Sequence, residues 1–464
     1  MVMKKDHRLG KFILSMLTLA LLAFIAVGCE SGSSSSSGGC DSGSSSSSSS
    51  GGQTTSDKTF IVSSVRDELN NNDLYVFANG LNNLGYTKVL EDTNVYRSEL
   101  IDYLGRTITT LYHTGHGYYG AVYTADGTIS SSNVTLRAQN TIFATCLSMT
   151  DTAWKNSFTS TAQTLMGYTK YSYDYTDDEV ARNMVNQLAN NVTYKMAWYL
   201  SNSGISGLND RWAEYVREGN SIVEYSARTG NTLKLTVSEL VSLEAKGRVK
   251  AIRRLVRSSR KFRSSFGVNA TIEKATVTTT TKTGDFDLTS PVTISEQEAI
   301  ALAKDWLEEN DGFPDDAALD QVIPIQRQSD DTQLEIVGYT VHFQRNLQGT
   351  RVCGNRVEDH ISIMVDQNSV VAVSKYWPAM QTLLSASSTD LSNLLSVGEA
   401  IQTAADEIAN AVKQDEPIQL IEAEPAYGTL GPKGSRQRLI PAFRIKSTDG
   451  HLFVISAWTG RLLL

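Results

Sequence analysis

The chain has 464 residues, too many for one compact core, since single cores rarely grow past about 250–300 residues, and enough for two or three domains. Hydrophobic residues at 41% and charged residues at 20% exclude a chain disordered throughout, and a net charge of −8 argues against nucleic-acid recognition by bulk electrostatics. Four cysteines without a Cys-x-x-Cys pair and six histidines are too few for a disulfide scaffold and leave little material for a metal centre.

The N-terminus opens with a basic head of Lys4, Lys5, Arg8 and Lys11, followed by residues 12–27, apolar except for Ser15 and Thr18. This is the pattern of an export signal, and an ordinary signal peptide or a single membrane anchor satisfies it. The small residues before a cysteine in Ala26-Val27-Gly28-Cys29 resemble the lipobox of bacterial lipoproteins. That resemblance implies a signal peptide over 1–28, lipidation of Cys29, and a protein tethered to a membrane of the bacterial cell envelope. Residues 31–52 contain 14 Ser and 6 Gly. They complete a linker over 29–57 that behaves as a flexible coil, reaching ~5–6 Å × √n. No second apolar run of about 20 residues follows, so no further span is expected.

From Lys58 onward short strand-like runs alternate with helical ones. Residues 59–62 read as a strand. Residues 73–84 read as a helix through Leu74, Val76, Phe77, Leu81 and Leu84, residues 87–90 as a strand, and 96–104 as a short helix. Two apolar runs, 107–113 and 141–146, read as buried strands, and helices are expected over 177–190 and 192–201. This order predicts an α/β domain over 58–235, with a mainly parallel sheet and helices on both faces.

A connector over 236–269 follows. Residues 246–263 hold nine Lys or Arg and no acidic residue, with Val249, Ile252, Leu255 and Val256 at helical spacing. They predict a basic amphipathic helix that touches anionic lipid or an acidic partner, or else a solvated connecting helix. Residues 268–464 are acidic, with 27 Asp or Glu against 15 Lys or Arg. They contain an internal repeat, Ser295-Glu296-Gln297-Glu298-Ala299-Ile300 returning as Ser396-Val397-Gly398-Glu399-Ala400-Ile401. Each copy is a capping box opening an amphipathic helix. Strands are expected after the first helix at 338–345 and 361–377, and after the second at 439–447 and 451–464. This divides the region into duplicated α+β modules over 270–385 and 386–464. The helix-then-hairpin pattern, ending in Trp458-Thr459-Gly460-Arg461, resembles PepSY-type modules, which implies a regulatory or structural role.

Chemistry is suggested by Thr110-Leu111-Tyr112-His113-Thr114-Gly115-His116-Gly117 and by Ile142-Phe143-Ala144-Thr145-Cys146-Leu147-Ser148. In both, an apolar run delivers a reactive side chain just past the carboxyl end of a predicted parallel strand, the edge where open α/β sheets place their sites. Taken singly, Cys146 also fits a buried structural thiol and His116 a turn histidine. Strand–His-Gly followed by strand–Ala-x-Cys resembles the caspase/gingipain/clostripain/separase group of cysteine peptidases over 58–205. Gly120-Ala121-Val122-Tyr123, Asp126-Gly127 and Leu165-Met166-Gly167-Tyr168 add to the likeness. Two features depart from it. Leu147-Ser148 stands where caspases carry a polar pair, and the His116–Cys146 spacing is shorter than the ~50 residues of caspases.

The resemblance implies a caspase-like three-layer sandwich in which His116 is the catalytic histidine and Cys146 the nucleophile. The backbone N–H groups of Gly117 and Cys146 would form the oxyanion hole. The reaction implied is hydrolysis of a peptide or protein substrate through a Cys146 thioester, with no metal or organic cofactor. His113 is a candidate support for His116 or a packed strand-end residue. Members that cut after Arg or Lys use an acidic pocket, for which Asp151, Asp174, Asp177 and Asp178 are candidates, or else solvated loop residues. Cys353 could pair with Cys146. The C-terminal modules are expected to dock on the crevice within the same chain, with cleavage at Arg253-Arg254 or Arg260-Lys261 releasing them. The expectation is thus a lipid-anchored envelope cysteine endopeptidase. The alternative is a catalytically inactive caspase-like scaffold acting as an envelope binding protein. A depressed Cys146 pKa would favour the first and an inert thiol the second.

Overall fold

A computed structural model of the protein describes residues 58–65, 71–172, 174–205, 208–227, 240–243, 248–253, 255, 266, 270–272, 279–282, 288–310, 312–329, 334–353, 359–382, 393–412, 417–430, 437–448 and 450–463. The expected export signal, Cys29 and the linker lie outside the described residues, as do Arg254, Arg260 and Lys261.

The first part runs β1 (Thr59–Ser64), α1 (Asn72–Asn83), β2 (Thr87–Asp92), α2 (Arg97–Leu104) and β3 (Thr110–Gly115). Three short strands follow, β4 (Gly117–Tyr118), β5 (Ala121–Thr124) and β6 (Gly127–Ser130), which form a small antiparallel sheet of their own. Then come β7 (Asn140–Thr145), β8 (Thr164–Tyr168), α3 (Asp174–Ala189), α4 (Tyr194–Ser203), β9 (Trp212–Glu218) and β10 (Ser221–Ala227). Strands β2, β1, β3, β7 and β8 pair in that order and all parallel. β1, β3, β7 and β8 alternate between two cores, while β2 at the edge is largely exposed. Phe60, Val62, Tyr112, Ile142 and Met166 face one cluster with Phe77 of α1, Met184 of α3 and Trp198 of α4. Ile61, Leu111, Phe143 and Leu165 face another with Leu100 and Leu104 of α2 and Trp154. The result is a three-layer α/β/α arrangement. A parallel sheet covered on both sides places consecutive apolar residues in its inner strands, here Phe60-Ile61-Val62, Leu111-Tyr112, Ile142-Phe143-Ala144 and Leu165-Met166.

β3 ends two residues later than the expected 113, because β1 and β7 flank it through Ser64 opposite Thr114 and Gly115 opposite Thr145. His113 therefore lies inside the strand. The β9–β10 hairpin had no expectation attached to it. It carries the sheet onward, β9 pairing antiparallel with β8 and β10 with β9.

The remaining elements are β11 (Leu240–Ser242), β12 (Val249–Ile252), β13 (Ala270–Ile272), β14 (Thr279–Lys282), α5 (Glu296–Asn310), β15 (Ala317–Gln328), β16 (Glu335–Leu347), β17 (Thr350–Val352), β18 (His360–Val365), β19 (Val370–Tyr376), β20 (Met380–Thr382), α6 (Val397–Ala411), β21 (Ile418–Leu430), β22 (Gln437–Ser447) and β23 (Leu452–Ser456). The sheet crosses the expected boundary at 235: β10 pairs with β15, and β16, β18, β19 and β14 follow, all antiparallel. Arg327 of β15 fastens this junction, bonding Glu218 at 3.0 Å, Glu335 at 3.0 Å and the Tyr225 hydroxyl at 3.1 Å. Ile323, Ile325, Val337 and Met364 join the same core as Trp198 and Leu200 of α4. A second sheet contains β11, β12, β21, β22 and β23, with β12 and β17 sharing one edge of β21.

Both capping boxes form. Glu298 Oε2 accepts from Ser295 N–H at 2.7 Å and Glu399 Oε2 from Ser396 N–H at 2.7 Å, and each serine hydroxyl accepts in return, at 3.3 and 3.1 Å. The expected basic helix over 246–263 is corrected at its start. Val249–Ile252 is a strand between β11 and β21 with Val249 and Ala251 buried, because alternating small apolar residues fill a sheet position there. Residues 256–265 lie outside the described residues. Among the described residues no helix is long and apolar enough to cross a membrane. Residues 55–464 form one compact unit.

Candidate active site

β3 and β7 run side by side, from Thr110 opposite Asn140 to Gly115 opposite Thr145. His116 and Cys146 are each the next residue, so both leave the sheet at the same level of its carboxyl edge, where open α/β sheets place their sites. Gly117 then packs directly on the Cys146 backbone. A Cβ on Gly117 would stand 2.1 Å from the Cys146 carbonyl oxygen and 3.0 Å from both Cβ and Oγ1 of Thr145. Only glycine allows this approach. Gly117 opposes Val122 across the β4–β5 ladder, while the His116 carbonyl accepts from Tyr123 N–H at 3.0 Å. Bonded and non-bonded pairs alternate in an antiparallel ladder. Gly117–Val122 is therefore a non-bonded pair, and the Gly117 N–H turns away from β5.

The chain after Cys146 is held tightly. Leu147 takes a left-handed conformation with φ 55. Its N–H donates to Lys170 O at 3.1 Å and its carbonyl accepts from Gly120 N–H at 2.8 Å. Trp154 Nε1–H is shared between Gly120 O and Ser148 O, each at 3.0 Å.

The thiol meets Ser172 in the loop between β8 and α3. Ser172 N–H donates to Sγ at 3.3 Å, Sγ–H reaches Ser172 O at 3.6 Å, and the Ser172 hydroxyl lies 3.7 Å away. That hydroxyl donates to Asp177 Oδ2 at 3.2 Å. Burial first, and then the Asp177 carboxylate, push the Cys146 thiol up to about 11, against a smaller opposing pull from the Ser172 bonds and Arg211. As a residue Cys146 is half-buried. The shift is upward, contrary to the depressed value that an activated nucleophile calls for.

His116 is half-buried, and its ring stands edge-on to Tyr123 with centroids 6.3 Å apart at 79°. His113 is fully buried. Ser63 Oγ lies 3.1 Å from its Nδ1, and its Nε2 lies 3.1 Å from the carbonyl of Tyr123. A carbonyl only accepts, so Nε2 carries the proton and Nδ1 accepts from Ser63. Burial lowers His113 to about 4, so it is a neutral strut. It props Tyr123, whose N–H and ring both meet His116.

The acidic candidates separate. Asp151 caps a short turn, accepting from Ala153 N–H and Ser131 Oγ at 2.9 Å each. Asp178 accepts from Asn72 at 2.7 Å. Asp174 begins α3, with its side chain outside the described residues. Asp177, almost fully buried, is the one that reaches the thiol's surroundings. The Cys146–Cys353 pairing raised as a possibility is not formed, and Cys353 is buried in the second sheet's core among Ala426, Ala442 and Val454. Ser172 and Arg211 had no expectation attached to them, and Tyr123 entered only as part of the hairpin after His116. No spacing marks them, since each belongs to a different loop or strand and meets the site only through the fold. Among the described residues no group of three or more His, Cys, Asp or Glu could hold a metal ion.

No family model matches the chain, and no curated protein does. Among solved structures the chain is similar to an uncharacterized protein from Eubacterium rectale, with 12% identity and a TM-score of 0.26, covering 53% of this chain and 74% of that one. It is also similar to the Arg-specific cysteine proteinase gingipain R, with 12% identity and a TM-score of 0.29, covering 70% of this chain and 68% of that one.

Proposed function

We propose that the protein is a caspase-like cysteine endopeptidase in a resting state, lipid-anchored in the bacterial envelope through Cys29. The observation that supports this best is the paired exit of His116 and Cys146 from adjacent parallel strands, with Gly117 pressed on the Cys146 carbonyl. In the reaction Cys146 gives its proton to His116 and its sulfur attacks the scissile carbonyl, whose oxygen becomes an oxyanion. The Gly117 and Cys146 N–H groups receive that charge, each donor worth roughly 3–4 kcal/mol in acyl transfer. His116 protonates the departing amine, a step worth roughly 10²–10⁴-fold. Water then cleaves the thioester and releases the acid. The buried Asp177 carboxylate favours a substrate with a basic side chain near the cut. The C-terminal modules serve regulation.

A second reading keeps the fold as an inactive binding scaffold. It is favoured by one observation, the thiol pushed up to about 11 by burial and Asp177. The two readings part on cleavage of a mixed peptide library by wild type beside Cys146→Ala. Peptides cut by wild type alone support the peptidase; a library left intact by both, with the thiol resistant to alkylation in the folded protein, supports the scaffold.

A further inference from the structure

The loop that meets the thiol through Ser172 is gripped from two sides. On the α/β side, Thr169 N–H and Oγ1 donate to the Arg211 carbonyl at 2.7 and 3.1 Å, and Lys170 Nζ pairs with Asp210 at 2.9 Å. The Arg211 guanidinium, 6% exposed as a residue, donates from Nη1 to Tyr171 O at 2.6 Å. Its Nη2 donates to Gly450 O, in the turn between β22 and β23. In the same turn His451, 5% exposed, lays its ring 4.2 Å from that of Tyr171, tilted by 32°. The turn is closed by Ser447 N–H donating to His451 O at 2.9 Å. One guanidinium thus joins the carbonyl just before Ser172 to a carbonyl near the C-terminus. A planar, charged fork with two carbonyls in hand holds their separation better than a flexible contact does.

We propose that the β22–β23 turn is a working part of the thiol site: through Arg211 and Tyr171 it keeps Ser172 seated on the half-buried Cys146, a latch in cis that holds Ser172 on the sulfur. Arg211 is a positioning residue in this device. The proposal deepens the peptidase reading and rests on it for the meaning of the thiol, while the contact acts on the sulfur whatever is cleaved. The groups that face the thiol are Ser172 from the loop, Asp177 from α3, Tyr168 from β8 and Arg211 ahead of β9. Release of the turn lets Ser172 lift and water in. The desolvation of the thiolate falls, and the thiol ionises at lower pH.

The test is the pH dependence of iodoacetamide alkylation of the full chain, read by peptide-resolved mass spectrometry so that Cys146 and Cys353 are followed separately. Cys353, 0% exposed, reports any global opening. In His451→Ala the alkylation midpoint of Cys146 is expected to fall by a pH unit or more, and its rate at pH 8 to rise about tenfold, since a unit of pKa is a tenfold change in thiolate. Cys353 stays protected, and His451→Phe, which keeps a ring on Tyr171, behaves as wild type. An unchanged Cys146 midpoint with Cys353 protected overturns the proposal. Should His451→Ala expose Cys353, Tyr171→Ala removes the same ring pair from the half-buried side, and the same two outcomes decide. Because the readout is alkylation, a chain that cuts no peptide still decides the latch.

Discussion

Adding one methyl group at Gly117 tests the geometry most locally. The Gly117→Ala Cβ would fall 2.1 Å from the Cys146 carbonyl oxygen and 3.0 Å from Thr145 Cβ. An ordinary carbon–oxygen contact needs more than about 3 Å, so one segment must retreat by about 1 Å. The obstructing atom is backbone, and Leu147 beyond it is pinned to Lys170 and Gly120, so no flexible side chain absorbs the clash. Overpacking of this kind costs roughly 1–3 kcal/mol of stability. Displacing a reacting group by about 1 Å costs on the order of 10²-fold in rate. Losing an oxyanion donor adds a similar factor. The expected outcome is a fall in kcat/KM of at least 10²-fold, with the unfolding midpoint in urea lowered only modestly. A Gly117→Ala protein with wild-type kcat/KM and wild-type stability would show that the backbone of Gly117 is not against Cys146 as described.

The remaining predictions concern charge and burial. Asp177→Asn keeps an oxygen for Ser172 but removes the negative charge that helps hold the Cys146 proton. The pH midpoint of Cys146 alkylation should fall on the order of one unit, and no fall would mean that the carboxylate does not act on the thiol. His113 is lowered from 6.5 to about 4 by burial. Its contribution to stability is therefore complete above pH 6.5 and lost as pH falls through 4, on the order of 3 kcal/mol. Urea titrations of His113→Phe should lose that acid dependence, while also losing the bonds to Ser63 and Tyr123. Asp73 carries the opposite sign. Burial raises its carboxyl to about 6 although Tyr112 donates to it at 2.7 Å, so stability is complete below pH 3.8 and declines as pH rises through 6. Asp73→Asn should be flat over that range in the same titration.

The α/β frame was legible because its strands are covered on both faces. A run such as Ile142-Phe143-Ala144, apolar at three consecutive positions inside β7, fits a buried strand. The two capping boxes were legible for a local reason: Ser295 and Glu298, like Ser396 and Glu399, meet within four residues. His116 and Cys146 could be matched because each ends its own strand. Their register, which sets them level, is a property of the pairing and not of either segment. The long strands β15 and β21 had no expectation, since Pro324 and Pro425 break the pattern that a ladder normally shows. Val249, Ile252, Leu255 and Val256 at helical spacing made 246–263 read as a helix, yet Val249 and Ala251 alternate into a sheet core. Arg211 could not be read at all. Its partners are Tyr171 and Gly450, brought together only when the second sheet closes on the first.

The most direct measurement incubates wild type, His451→Ala, Cys146→Ala and His116→Ala with reductant and a mixed peptide library, and maps the products by mass. Cleavage by wild type or His451→Ala, absent in Cys146→Ala and reduced in His116→Ala by about 10²-fold or more, is the predicted result. A library left intact by both wild type and His451→Ala, or cut equally by Cys146→Ala, contradicts the account.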